Sequence, residues 1–218
     1  VAPDHVGNTF YSSWDDFGSF LYRRPADVQD TFDWLLEQSS DTTSPLSGCV
    51  DEDAGYVVSG YSFGGYTALV TGGAAATDWW GDDITDRADS RVTAIVTQAA
   101  WNASSAITDG TEDIEVPVLT IGGERDDVVG TEYLSMHSHI DSTPRVLGSF
   151  FDAGHFSPVA IYCWSPGDGC GPAYVSTDVY EGIVQTSILA FIEHLRGREG
   201  AIEQLVEDPD ALDWEMEL

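Results

Sequence analysis

The residues best suited to chemistry begin with a serine between two glycines. Gly60-Tyr61-Ser62-Phe63-Gly64 matches the pattern G-x-S-x-G, in which a serine lies on a sharp turn between a strand and a helix. A serine hydroxyl is a weak nucleophile, so it needs a base within hydrogen-bond reach and a third group that holds the base. The pattern therefore predicts Ser62 as a nucleophile and directs attention to histidines and acids further along the chain.

The segments on either side of this serine fit a strand-turn-helix unit. The β-rich run Tyr56-Val57-Val58-Ser59 precedes it, and a small, apolar, helix-compatible stretch runs from Gly64 to Gly73. We expect glycine to be needed on both sides because such a turn is strained and crowded. The start of the helix favours negative charge, and the backbone N–H of Phe63 is predicted to donate to a developing oxyanion.

The acid of such a site is expected after the serine and before the histidine. The apolar run from Val116 to Ile121 predicts a buried strand, which leads through two glycines into an acidic cluster. Asp126 is the predicted acid. Asp127 and Glu124 are the alternatives in the same cluster.

The base is predicted to be His155. It follows the strand-like run from Val146 to Phe151, and Gly154 before it suits a loop that brings the imidazole toward the serine. His5 precedes the serine in the chain. The other three histidines lie in segments predicted as helical: His137, His139 and His194.

The pattern of strand-like and helix-like segments around these residues predicts a single catalytic domain. Apolar runs alternate with helix-like segments, which is typical of an α/β protein with a mostly parallel sheet flanked by helices. One helix is expected from Arg24 to Gln38, with Pro25 in its first turn, and another ends at Gly197. Residues 1–197 are thus predicted to form the domain, and residues 198–218 an acidic helical tail.

Composition limits the partners of the chain. It has 38 acidic residues against 8 basic residues, all arginine, and a formal net charge of -30. Nucleic acid and anionic membrane surfaces are therefore poor partners, and no run of 18 apolar residues is present to span a bilayer. An acidic, lysine-free surface suits a saline, secreted or periplasmic setting, although compositional bias alone would produce the same counts.

The 3 cysteines predict one local bridge. Cys163 and Cys170 flank a segment rich in proline and glycine, which favours the tight turn of a short disulfide loop. Cys49 is then left as a free thiol or as half of a bridge to another chain. No Cys/His spacing indicates a structural zinc site, and no metal is expected.

Several of these segments resemble one family of esterases. Arg24-Pro25-Ala26-Asp27, the run from Gly60 to Leu69, and Ala153-Gly154-His155-Phe156-Ser157 are similar to dienelactone-hydrolase-like esterases, which include platelet-activating-factor acetylhydrolase-like and cutinase-like polyester hydrolases. Ala99-Ala100-Trp101 is similar to the polyester-hydrolase segment that puts an aromatic residue beside the substrate. The likeness covers most of Val1 to Leu195.

The resemblance implies an α/β-hydrolase fold and hydrolysis of small or polymeric carboxylic esters without cofactor or metal. It implies that Tyr61, Trp101 and Phe156 line the substrate site, where ordinary core packing is the alternative. Dienelactone hydrolases proper have a cysteine where Ser62 stands, so dienelactone is not the expected substrate. An amidase or peptidase with the same triad, and a hydrolase fold without catalysis, are the competing hypotheses.

The same resemblance raises the question of the first strands. In an α/β-hydrolase several strands precede the nucleophile strand, and the loop after the third supplies a second oxyanion donor. Val1-Ala2-Pro3-Asp4-His5 reads as the end of a strand, so the earlier strands are expected to be missing. Our hypothesis is that a separate N-terminal segment completes the fold and supplies that donor. The alternative is a minimal hydrolase that uses the loop from His5 to Asn8.

Overall fold

The computed structural model describes residues 1–5, 7–8, 17–103, 106–107, 110–159, 174–206 and 212–218. The helices are α1 (Phe17–Ser40), α2 (Phe63–Thr71), α3 (Glu132–Ser138) and α4 (Thr177–Leu195). The strands are β1 (Tyr56–Tyr61), β2 (Val92–Gln98), β3 (Val118–Gly123), β4 (Arg145–Phe150) and β5 (Leu212–Glu217).

The five strands form one sheet in the order β1-β2-β3-β4-β5. Strands β1 to β4 run parallel, and β5 pairs antiparallel with β4. This confirms the predicted α/β class and the mostly parallel sheet. Because parallel strands end at one edge of a sheet, the loops after β1, β3 and β4 meet there, and these loops carry the three predicted catalytic residues.

Both faces of the sheet are buried, as the apolar strand sequences require. Alternate residues of one strand point to opposite faces, so Ile95 packs on one side while Ala94 and Val96 pack on the other. Side chains of α1, α2 and α3 cover the first face, and α4 with the segment after it covers the second. The sheet is therefore held between two helical layers.

Helix α1 begins earlier than predicted, and Pro25 lies inside it instead of in its first turn. A proline has no N–H, so it cannot donate to the carbonyl of Leu21 one turn before it. The hydroxyl of Tyr66 on α2 donates to that carbonyl instead, over 3.2 Å. A tertiary hydrogen bond thus satisfies the acceptor that the proline leaves open, and the helix continues through it.

The C-terminal segment differs from the predicted helical tail. Leu212–Glu217 is strand β5, which extends the sheet beside β4. Leu212, Trp214 and Met216 alternate with acidic residues, and this period of two is the pattern of a strand. Gly148 on β4 makes room for the indole, because a Cβ there would lie 2.6 Å from the ring of Trp214. Ile202–Val206 does form a short 3-10 helix, but the helical prediction was wrong for Leu212–Glu217, where composition was weighed above the period of two.

Strand β1 forms the other edge of the sheet, and among the residues described no strand precedes it. A groove of about 420 Å³ runs beside this edge between Val1, Phe32 and Val57. Cys49 lies on the groove and is a free, exposed thiol, whereas the predicted Cys163–Cys170 bridge falls outside the described residues. The completing N-terminal segment stays a prediction. Among the helices described, none combines the length and the hydrophobicity that a membrane span requires.

Candidate active site

Ser62 occupies the turn between β1 and α2, and its backbone has a conformation that residues other than glycine rarely adopt. Its φ is 55° and its ψ is -120°. Such a conformation costs about 1–3 kcal/mol and persists only where the surroundings enforce it. Here the Ser62 N–H donates to the carbonyl of Gln98 over 2.9 Å, and the Ser62 carbonyl accepts from the N–H groups of Gly65 and Trp101 at 2.9 and 3.1 Å.

Close packing requires glycine at two positions near the serine. These positions are Gly60 and Gly65, whereas the sequence pattern predicted Gly60 and Gly64. A Cβ on Gly60 would lie 1.9 Å from the carbonyl oxygen of Gly64, and one on Gly65 would lie 2.6 Å from the Cβ of Ala100. A Cβ on Gly64 would meet nothing closer than the guanidinium of Arg24 at 3.8 Å. The prediction was right for Gly60 and wrong for Gly64, because the crowded position on the helix is one residue later.

His155 lies in the turn after β4 and faces the serine. Its Nε2 is 2.9 Å from the Oγ of Ser62, and its Nδ1 is 2.7 Å from Oδ2 of Asp126. A carboxylate accepts hydrogen bonds, so Nδ1 donates to it and Nε2 accepts from the serine hydroxyl. Residues distant in sequence thus form one continuous hydrogen-bonded chain from hydroxyl to carboxylate.

Asp126 is the acid of this chain, and its side chain is fully buried. Its second oxygen, Oδ1, accepts from the backbone N–H groups of Val128 and Val129 at 3.0 and 2.9 Å. Both alternatives from the acidic cluster, Glu124 and Asp127, are exposed. Of the three candidates, Asp126 is thus the one that is buried and bonded to His155.

Backbone hydrogen bonds join the turn of the acid to the turn of the histidine. The N–H of Glu124 donates to the carbonyl of Phe150 over 2.9 Å, and the N–H of Arg125 donates to the carbonyl of Ala153 over 3.0 Å. Close packing at Gly123 permits this, because a Cβ there would lie 2.2 Å from the carbonyl oxygen of Ala153. The distance between acid and base is thus set by main-chain contacts.

Three of the other histidines make contacts away from the serine. His5 lies 2.8 Å from a carboxylate oxygen of Asp27, and the buried His137 contacts the hydroxyl of Thr120 at 2.9 Å. His139 is exposed and bonds to a carbonyl of its own helix. Burial lowers the pKa of His5 below its ordinary value, with a further decrease from the charge of Arg24.

Phe63 is the first residue of α2, so its backbone N–H belongs to the helix end that faces Ser62. Its ring packs edge-on against Trp101 at 5.4 Å between centroids. The guanidinium of Arg24 lies over the same ring, 4.6 Å from its centroid, and donates to the hydroxyl of Thr67 over 2.9 Å. Burial lowers the pKa of Arg24 to about 10, and the group stays cationic at neutral pH.

Asn8 lies near the site. No sequence pattern singled it out, and it was named only as the end of the loop from His5 to Asn8. Its Oδ1 accepts from Arg24 over 2.5 Å, which places it beside the N-terminal end of α2. Because arginine only donates, the atom facing it must be the oxygen, so the amide nitrogen points elsewhere. That nitrogen, Nδ2, is buried and has no hydrogen-bond partner in the part of the chain that the structure describes.

Three aromatic side chains predicted to line the substrate site lie close to the triad and are half-buried. The rings of Tyr61 and Phe156 lie 5.2 and 5.1 Å from the imidazole of His155, and Trp101 packs on Phe63. The hydroxyl of Tyr61 donates to the carbonyl of His155 over 2.7 Å. These rings supply an apolar surround, and one of them also bonds to the backbone of the histidine.

Glu132 was not found by sequence reasoning. Its Oε2 accepts from the backbone N–H of Asn102 over 2.9 Å, next to Trp101. The preceding bend contains Ala99, whose φ of 44° is unusual for a residue other than glycine. No sequence pattern links an acid on α3 to this bend. Within the described ranges, no group of three His, Cys, Asp or Glu side chains is arranged to hold a metal ion.

Compared with models of known protein families and with curated proteins, the chain matches none of them. The geometry of the site is therefore the basis for its functional assignment.

Proposed function

We propose that this chain is a serine carboxylic-ester hydrolase of the α/β-hydrolase class. The observation that supports the proposal is the hydrogen-bonded chain from Ser62 through His155 to Asp126, with both contacts at 2.9 Å or less. A strained serine at a helix start, a buried imidazole and a buried carboxylate are the parts that acyl transfer requires.

The reaction would proceed in two halves. The Oγ of Ser62 attacks the ester carbonyl carbon as its proton passes to Nε2 of His155, and the carbonyl electron pair moves onto oxygen. When the tetrahedral anion collapses, the alcohol leaves with the proton from Nε2, and an acyl-serine remains. Water then attacks the acyl carbon and gives its proton to Nε2, and Ser62 leaves with that proton as the free acid forms.

Two donors are assigned to the anionic oxygen. The first is the backbone N–H of Phe63 at the start of α2, where the helix dipole also favours negative charge. The second follows the alternative in which the loop from His5 to Asn8 completes the site: it is the side-chain amide of Asn8, whose nitrogen has no hydrogen-bond partner among the described residues. The buried carboxylate of Asp126 stabilises the imidazolium that exists between the two proton transfers.

The surroundings of the triad favour an uncharged, partly aromatic acyl group. Tyr61, Trp101 and Phe156 present apolar rings near the reacting atoms. The net charge of -30 disfavours anionic substrates. Short-chain esters and aromatic polyesters are thus the proposed substrate classes, and a secreted or periplasmic setting suits the acidic surface.

The decisive experiment is labelling by a fluorophosphonate together with ester hydrolysis. We expect rapid labelling of the native chain, loss of labelling in Ser62→Ala, and release of p-nitrophenol from a short p-nitrophenyl ester. A chain that neither labels nor hydrolyses esters of any length would support the non-catalytic alternative. Hydrolysis of the matching p-nitroanilide at a rate similar to the ester would favour an amidase.

A further inference from the structure

Tyr61 is the last residue of β1 and lies next to the nucleophile. Its hydroxyl donates to the main-chain carbonyl of His155 over 2.7 Å. We infer that Tyr61 is a positioning residue, which holds the backbone of His155 where the imidazole reaches both Ser62 and Asp126. The inference rests on the proposed function and concerns how its base is kept in place.

The side-chain contacts of His155 do not persist through the proposed reaction. Nε2 exchanges its contact with Ser62 for contacts with the leaving alcohol and then with water. During these steps the imidazole keeps its contact with Asp126, and its backbone keeps the contact with Tyr61, because neither involves a reacting oxygen. A main-chain anchor therefore limits the movement of the ring when the serine contact is absent.

The turn that carries His155 also has bonds of its own. The N–H of Gly154 donates to the hydroxyl of Ser157 over 3.0 Å, and the N–H of Ser157 donates back to the carbonyl of Gly154 over 3.1 Å. These bonds shape the turn but do not connect it to the nucleophile strand. The Tyr61 hydroxyl makes that connection, while the bond from Arg125 to Ala153 connects the turn to the acid.

The hydrogen bond from Tyr61 to the carbonyl of His155 distinguishes two possible roles for this residue, lining the substrate site and positioning the base. A residue that only lines the substrate site, as predicted from the sequence, acts on substrate affinity. A residue that positions the base acts on the chemical step, whichever acyl group is bound. Because its hydroxyl is already engaged by His155, we assign the hydroxyl to positioning and the ring to the apolar surround.

Tyr61→Phe tests this assignment because it removes the hydroxyl and keeps the ring. We expect kcat for a p-nitrophenyl ester to fall about five- to tenfold, the loss that corresponds to one hydrogen bond. KM should stay the same, and fluorophosphonate labelling should slow by the same factor as kcat. The downfield proton resonance of Nδ1 of His155 should broaden, because the ring samples more orientations.

Tyr56→Phe is the matched control on the first residue of the same strand. Its hydroxyl bonds to a carboxylate oxygen of Asp89 over 3.0 Å, far from the triad along β1. We expect this variant to lose stability but to keep kcat and the labelling rate. Tyr61→Leu removes the ring as well as the donor, so if the phenylalanine variant does not fold, its kcat and labelling rate carry the test and its KM does not.

A raised KM with unchanged kcat and labelling in the Tyr61 variants would overturn the inference and leave a substrate-lining role. Equal losses of kcat in Tyr61→Phe and Tyr56→Phe would also overturn it, since they would reflect a general effect on β1. Failure of the proposed function looks different, because the native chain itself would then neither label nor hydrolyse esters.

Discussion

The carboxylate of Asp126 holds the imidazole of His155 through one oxygen and is itself held through the other. Oδ2 lies 2.7 Å from Nδ1, while Oδ1 accepts two backbone N–H groups from the turn that follows. The acid thus has no freedom to rotate without losing three hydrogen bonds. Substitutions can therefore distinguish the effect of Asp126 on activity from that of its exposed acidic neighbours.

Asp126→Asn should lower kcat for ester hydrolysis by about 10³- to 10⁴-fold, because an amide can present a donor to Nδ1 and favour the wrong tautomer. Asp127→Asn is the matched control, because Asp127 is adjacent and exposed. We expect it to retain most of the activity. A larger loss in Asp127→Asn than in Asp126→Asn, measured with the same ester, would mean that the acid is wrongly assigned.

Ser62→Ala and His155→Ala should each remove nearly all activity, and the double variant should be no worse than either. The two residues act on one proton transfer, so their losses do not add. Initial rates with a p-nitrophenyl ester and circular dichroism of the three variants check this. Retention of more than about a tenth of the rate in either single variant contradicts the assignment.

Asn8→Asp should lower kcat by about 100-fold or more, because it replaces a donor to the oxyanion by a carboxylate oxygen. The variant keeps an acceptor for Arg24, so it isolates the amide nitrogen from the structural contact. Asn8→Ala removes both functions and serves for comparison. Activity near that of the native chain in Asn8→Asp, with a clear loss in Asn8→Ala, would restrict Asn8 to holding Arg24.

Gly60→Ala should destabilise the chain by at least ~2 kcal/mol and abolish activity, because the added Cβ meets a carbonyl oxygen that cannot move away. Gly64→Ala lies in the same motif but has room, so it should be active and up to ~1 kcal/mol more stable through helix propensity. Urea unfolding of both variants measures the difference. Equal destabilisation would show that the two glycines are needed alike.

Acid should destabilise the fold through His137. Burial, and then the charge of Arg145, lower its pKa from 6.5 to about 4. As the pH falls below about 6.5, the unfolded chain binds a proton that the folded chain does not bind until about pH 4, so the free energy of unfolding decreases by up to ~3 kcal/mol across this window. The titration of His137 has no effect above that window.

His137→Gln is the variant that checks this, because glutamine can bond to Thr120 without titrating. The difference in unfolding free energy between the native chain and the variant should change by ~2–3 kcal/mol between pH 7 and pH 4.5, in favour of the variant at the lower pH. If urea unfolding gives the same difference in free energy between the native chain and the variant at both pH values, His137 is not the source of the acid destabilisation.

Local patterns were enough to predict Ser62 and His155, and Asp126 among three acids, as the residues that the structure joins by hydrogen bonds. Each follows a strand run; chain order set aside His5, and predicted helical segments set aside the other three histidines. Patterns failed where a distant contact overrides a local preference. Pro25 reads as a helix start, yet α1 continues through it because Tyr66 satisfies the carbonyl of Leu21. The C-terminal segment reads as an acidic tail, yet it pairs with β4.

The sequence by itself determined the α/β class and the candidates Ser62 and His155, and it narrowed the acid to three neighbouring carboxylates, because apolar periodicity and short-range turn chemistry are properties of neighbouring residues. Only the tertiary structure decided which acid is buried, which glycines are crowded, and that Tyr61 bonds to His155 and Asn8 to Arg24. Those relationships join segments far apart in the chain, and burial and hydrogen-bond geometry arise only when the sheet brings the ends of its strands together.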